Sequence, residues 1–176
     1  MDNLPIDDIV SLREALRAKF DEKLEPSMIL EIDRNCTKLL VLTCSSVYEL
    51  FFSSELLRWV DETTNGHKTI VEFVRKKAVE KQFHTFFDWD KKNANQFYNK
   101  MGNTFSEDVK KEIEKNELRG AERTFLKIVN VRNNVAHANA SIDYTFDEVL
   151  KMHNEAVGFL EFLFHFIKNY EKSMNQ

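Results

Sequence analysis

Glycine and proline are scarce in this chain of 176 residues, with four of the first and two of the second. Sheet-rich folds need turn residues at short intervals, so the scarcity favours long helices with few breaks between them. Cysteine is scarce too. Cys36 and Cys44 are the only two, they lie in one helical pattern, and they cannot bridge within a straight helix or make up a zinc site. That usage fits a reducing cytoplasm. An excess of basic residues is also missing. A net charge of −4 and a pI near 5.8 argue against a protein that coats nucleic acid by bulk attraction, so any RNA contact must be local. Arg75-Lys76-Lys77, Lys91-Lys92 and Lys110-Lys111 are short basic clusters that read as solvated helix faces. No run of about eighteen uncharged apolar residues occurs. The segment Met1–Pro5 lacks the basic-then-apolar pattern of a leader, so neither secretion nor a membrane association is expected. His67 and His84 lack ligand-spaced partners, and no glycine-rich phosphate loop appears, so neither a metal nor a cofactor is expected.

What is present is an ordinary globular balance, 43% hydrophobic and 31% charged, which suits one domain over 1–176. Fifteen phenylalanines stand out. They cluster at 51–52, 83–87 and 159–166, a pattern for a core plus an interface, with surface platforms for bases as the lesser use.

Apolar spacing predicts an all-α bundle. Ile9, Leu12, Leu16 and Phe20 mark a first amphipathic helix over 6–24, broken by Glu25-Pro26. A long helix follows over 27–62, stopped by Asn65-Gly66, and from Leu39 onward it is apolar over most of its circumference, as a central helix would be. Within it, Leu42, Ser46, Glu49, Ser53 and Leu56 share a face. Glu49 is the only charge between Lys38 and Glu55, and it either pairs with Arg132 or belongs to a narrow stripe facing water. A basic helix over 67–82, an aromatic connector over 83–90 and a short helix over 92–101 ending at Gly102 come next. Ser106 is placed to cap a charged helix reaching Asn116. A further helix starts near 118, and the last opens on the capping box Thr145-Phe146-Asp147-Glu148 and runs to about 172. That last helix carries a second apolar face, Phe159, Phe162 and Phe166, which asks for a second helix or subunit to cover it. His153 and His165 read as packed or surface residues.

The most informative segment is Arg132-Asn133-Asn134-Val135-Ala136-His137, an R-x4-H pattern near the end of a helix. Leu118, Ala121, Phe125, Ile128, Val129 and Ala136 form its apolar stripe, and Arg132 falls in the middle of it. A guanidinium there requires an anion or acceptors. Asn130, Asn133 and His137 lie on the adjoining face. Arg132 and His137 are about 140° apart in a regular helix, so they converge only if the helix ends or bends, or if a second subunit contributes. The spacing alone also fits an interior arginine bridging to a carboxylate, with His137 capping the helix end.

Further residues select between these readings. Phe87-Asp88-Trp89, Asn93-Ala94-Asn95 with Phe97 and Tyr98, Gly102, the Arg132–His137 segment, and Thr145–Glu148 with Ala156 together resemble the HEPN superfamily, most closely its RiboL-PSP-HEPN branch. The likeness extends upstream to the serine and glutamate helix around Glu49. It implies an all-helical HEPN-like bundle that dimerises and cuts RNA without a metal, leaving a cyclic phosphate and a 5′ hydroxyl. Arg132 and His137 would be the signature pair and Asn133 their polar companion, with Glu49 and Asn130 in support. The resemblance also implies a role as the toxin of a toxin–antitoxin or antiphage system, with a cognate antitoxin or another defence protein as partner. Its alternative is a non-catalytic HEPN module or antitoxin that binds protein.

Overall fold

The structure, a computed structural model, describes residues 1–20, 25–89, 91, 93–138 and 141–174; the side chains of 136–138 and 171–174 lie outside the described set. Seven α-helices account for most of the described residues: α1 (Leu4–Arg17), α2 (Pro26–Thr63), α3 (Lys68–Val74), α4 (Asn95–Lys100), α5 (Asn103–Lys115), α6 (Arg119–Ala138) and α7 (Phe146–Met174). The chain is all-α, as its spacing predicts.

Local chemistry sets most of the boundaries. Pro26 occupies the first turn of α2, where its missing N–H costs nothing. At the other end Asn65 takes φ 50° and Gly66 φ 71°. The Gly66 N–H reaches the Asp61 carbonyl at 2.8 Å and the Asn65 N–H the Glu62 carbonyl at 3.3 Å, a closed terminus that satisfies the last carbonyls. The expected capping box of α7 is formed. The Thr145 N–H donates to Glu148 Oε2 at 2.8 Å, and the Glu148 N–H donates back to Thr145 Oγ1 at 3.3 Å. These bonds to Thr145 hold the Glu148 carboxyl below its usual range.

Four expectations change. The short helix expected over 92–101 is only Asn95–Lys100, with residue 92 outside the described residues. The first helix ends at Arg17, and of its expected extent residues 21–24 lie outside the described residues. The basic third helix is only Lys68–Val74, followed by one wider π-turn over Arg75–Val79. Ser106 does not cap α5: the helix starts three residues earlier, so Ser106 is already inside it, buried and donating to Asn99 Oδ1 at 2.8 Å.

The long helix α2 is central, packed by α1, α3, α6 and α7, while α5 leans on α7. Its apolar stretch has the length and hydropathy of a membrane span, and in this fold Leu40, Val41, Cys44, Tyr48 and Phe52 bury it in the core. Phe52 is the hub. The rings of Phe83, Phe86, Phe87, Phe97 and Phe164 surround it at 4.9 to 5.8 Å between centroids, mostly edge to face. Each such pair adds roughly 0.5–1.5 kcal/mol beyond the area buried.

The second apolar face of α7 is mostly covered within the chain. Phe159 is fully buried with its ring 5.9 Å from Phe125 of α6, and Phe166 lies 5.5 Å from Phe105 of α5. Phe162 and Phe166 both stay half-buried, stacked on each other.

Candidate functional site at the end of α6

A buried carboxylate anchors α6. Glu122 is 2% exposed, and it accepts from the Ala94 N–H at 3.2 Å, the Tyr98 hydroxyl at 2.9 Å and Arg119 Nη1 at 3.2 Å. Charge-assisted bonds of this kind offset the cost of taking a carboxylate out of water. Burial, and then the charge of Glu122, push the Tyr98 hydroxyl pKa well up, so Tyr98 stays a donor. The segment before α4 is closed by a backbone pair, Asp88 N–H to the Asn93 carbonyl at 3.1 Å and Asn93 N–H to the Asp88 carbonyl at 3.3 Å. Asp88, Asn93, Ala94 and Tyr98 therefore form a clamp on α6, reached through Glu122. Glu122 itself escaped sequence reading because it looks like one more charge in a mixed-charge first turn.

At the far end of α6, Arg132 and Asn133 are both half-buried, and Arg132 Nη1 donates to Asn133 Oδ1 at 3.2 Å. Arg132 pairs with no carboxylate among the described residues. The structure does not bring Glu49 to it. Glu49 is half-buried on α2 and makes no ion pair among the described residues; the buried carboxylate of α2 is Glu55, bonded to Arg58 and to Lys168 of α7. Asn130 lines a cleft of about 410 Å³ together with Lys127, Asn134, Ser141 and Tyr144. The ammonium of Lys127 sits 4.4 Å above the Tyr144 ring. Lys127 and Asn134 were not singled out from the sequence, although i, i+3 and i+7 spacing puts them with Asn130.

The helix is continuous through position 137, but the His137 side chain lies outside the described residues. Helical register places 137 seven residues after Asn130 and three after Asn134, while Arg132 is about 200° from Asn130. In a regular helix a separation of five residues sets positions 132 and 137 about 140° apart.

A family model described as RiboL-PSP-HEPN matches residues 7–169. The chain belongs to the RiboL-PSP-HEPN family. No curated protein and no solved structure matches it. In this RiboL-PSP-HEPN chain the other reactive groups are put to structural use. Burial pushes the Cys44 thiol up to about 12, which keeps it protonated and a poor nucleophile. His153 is fully buried between Tyr48 and Asn3. Among the described residues no group of three or more His, Cys, Asp or Glu side chains is arranged to hold a metal ion.

Proposed function

We propose that this chain is a metal-independent endoribonuclease of the HEPN type, working in the cytoplasm as a homodimer. The observation that carries the reading is Arg132, a half-buried guanidinium with an amide oxygen and no carboxylate beside it among the described residues. Such a cation is left to meet an anion from outside. In the reaction, the ribose 2′-oxygen attacks phosphorus and the bond to the 5′-oxygen breaks, giving a 2′,3′-cyclic phosphate and a 5′-hydroxyl. His137 takes the 2′ proton or supplies one to the leaving oxygen, as an imidazole does near neutral pH. Arg132 neutralises the charge growing on the phosphate. Asn133 holds the guanidinium through its carbonyl, which leaves its amide N–H groups for a phosphate oxygen or His137. Asn130 lines the approach. Membership of this family also supports a role as a toxin or antiphage effector with a cognate antitoxin or defence partner.

A second reading, a non-catalytic protein-binding module, draws on the acidic charge and on α3, where Ile70 and Phe73 stand 42% and 65% exposed. Incubation with total RNA in the presence of a chelator decides between them. The wild type is expected to cut and leave cyclic phosphate ends, and Arg132→Ala and His137→Ala to stay folded and lose cleavage. Activity that needs added magnesium, or that survives both substitutions, overturns the mechanism.

A further inference from the structure

The larger cavity, about 930 Å³, lies between α1, α2 and the segment leading into α7. That is ample for a nucleotide. Its charged lining is Arg13, Arg17, Arg34 and Lys38 against Glu31, Asp33 and Asp147, four cations to three carboxylates, in a chain of net charge −4. The cations are held unequally. Arg13 bridges Asp33 at 2.8 Å and Asp147 at 3.0 Å with its guanidinium 4.4 Å above Phe146, and Arg17 holds Asp33 at 2.8 Å. Those contacts tie α1 to α2 and α7. Arg34 and Lys38, one helical turn apart on α2, differ from them. Arg34 approaches Glu31 only at 3.8 Å between exposed groups, and Lys38, half-buried, pairs with no carboxylate among the described residues.

The cavity is also joined to the end of α6. Ser141, Ile142 and Tyr144 line both it and the cleft beside Asn130 and Asn134, so one short segment separates the two spaces. Tyr144 stands at this partition half-buried, with the Lys127 ammonium 4.4 Å above its ring, which adds a further cation there. A strand leaving the α6 cleft over Tyr144 enters a space where Lys38 has no carboxylate partner among the described residues and Arg34 has only a long, exposed one.

We propose that this cavity is a flanking-phosphate subsite, in which Lys38 and Arg34 bind the backbone of an RNA strand beyond the bond to be cut. The identity of the strand as RNA rests on the endoribonuclease reading; the binding does not depend on cleavage. The subsite contributes affinity that grows with strand length and carries no base sequence, because phosphate contacts position rather than specify.

The test is fluorescence anisotropy with 2′-O-methyl RNA, which lacks the attacking hydroxyl, in lengths of about three and about ten nucleotides, comparing wild type with Arg34→Ala/Lys38→Ala. Wild type is expected to prefer the longer strand. The double variant is expected to lose roughly tenfold on that strand, with a salt slope shallower by about 1 to 2, and to bind the short one as before. The charge-keeping pair Arg34→Lys/Lys38→Arg restores the preference. A double variant that binds the long strand as wild type does overturns the subsite, and so does adenosine monophosphate that competes as well as the long strand. If wild type never cuts RNA but the length preference disappears in the double variant, the nuclease reading fails and the subsite stands.

Discussion

Glu49 and Glu122 show how differently two carboxylates act at the scale of single residues. From sequence, Glu49 is conspicuous because it is alone among apolar neighbours; in the fold it makes no ion pair among the described residues, whereas Glu122 collects three donors. Glu49→Gln is therefore expected to move stability by no more than about 0.5 kcal/mol, the range of a substitution that breaks no contact. Glu122→Gln, which sets an amide N–H₂ against a donor and leaves Arg119 only the longer contact to Glu114 at 3.7 Å, is expected to cost roughly 1–3 kcal/mol in urea denaturation. His153 gives a pH dependence. Asn3 Oδ1 only accepts, so Nε2 of the imidazole donates to it at 3.3 Å while Nδ1 accepts from the Tyr48 hydroxyl at 3.0 Å. Burial lowers its pKa from the ordinary 6.5. The unfolded chain thus takes up the proton first as pH falls, so this contribution is complete above 6.5 and is lost progressively below it, toward the lower folded value. Denaturation midpoints measured from pH 8 to 5 are expected to fall for wild type and to fall less for His153→Gln.

Among the helices, what the sequence made legible follows from what kind of signal each boundary carries. The α7 capping box and the Asn65-Gly66 stop are local chemistry, and both stand where the residues predict. Ser106 failed as a cap because Gly102, four residues ahead, adopts φ 114° and ψ 156° and starts α5 there. That conformation is open essentially to glycine alone. A Cβ at Gly102 would meet nothing within 4 Å, so Gly102→Ala isolates the backbone cost, expected at roughly 1–3 kcal/mol by thermal unfolding. The site divides in the same way. Arg132 and Asn133 were readable as a short pattern on one helix, and the aromatic segment 83–98 as a family likeness. Lys127, Asn134 and Tyr144 were not, because their cleft exists only once the segment after α6 returns against the helix. Nor was the covering of Phe159 and Phe166, which depends on where α5 and α6 cross α7.

For the whole molecule the question is how Arg132 and His137 can act on one phosphate. Of the second apolar face of α7, Phe159 is fully buried inside the chain, while Phe162 and Phe166 are half-buried. Helix α6 extends to Ala138, and regular helical geometry sets positions 132 and 137 about 140° apart. In the proposed homodimer a two-fold axis near the helix end would set Arg132 of one copy beside His137 of the other. Mixing inactive variants tests it directly. In a heterodimer of Arg132→Ala and His137→Ala chains, one of the two composite sites takes both substitutions and the other takes neither. Random exchange makes about half of the dimers heterodimers, each with one intact site, so the mixture is expected to recover about a quarter of wild-type cleavage. Either variant alone stays inactive. Recovery must also depend on protein concentration and disappear on dilution into monomer, as sedimentation velocity can follow. A mixture in which heterodimers are verified by mass yet cleavage does not return would place the full site within one chain and remove the need for the axis.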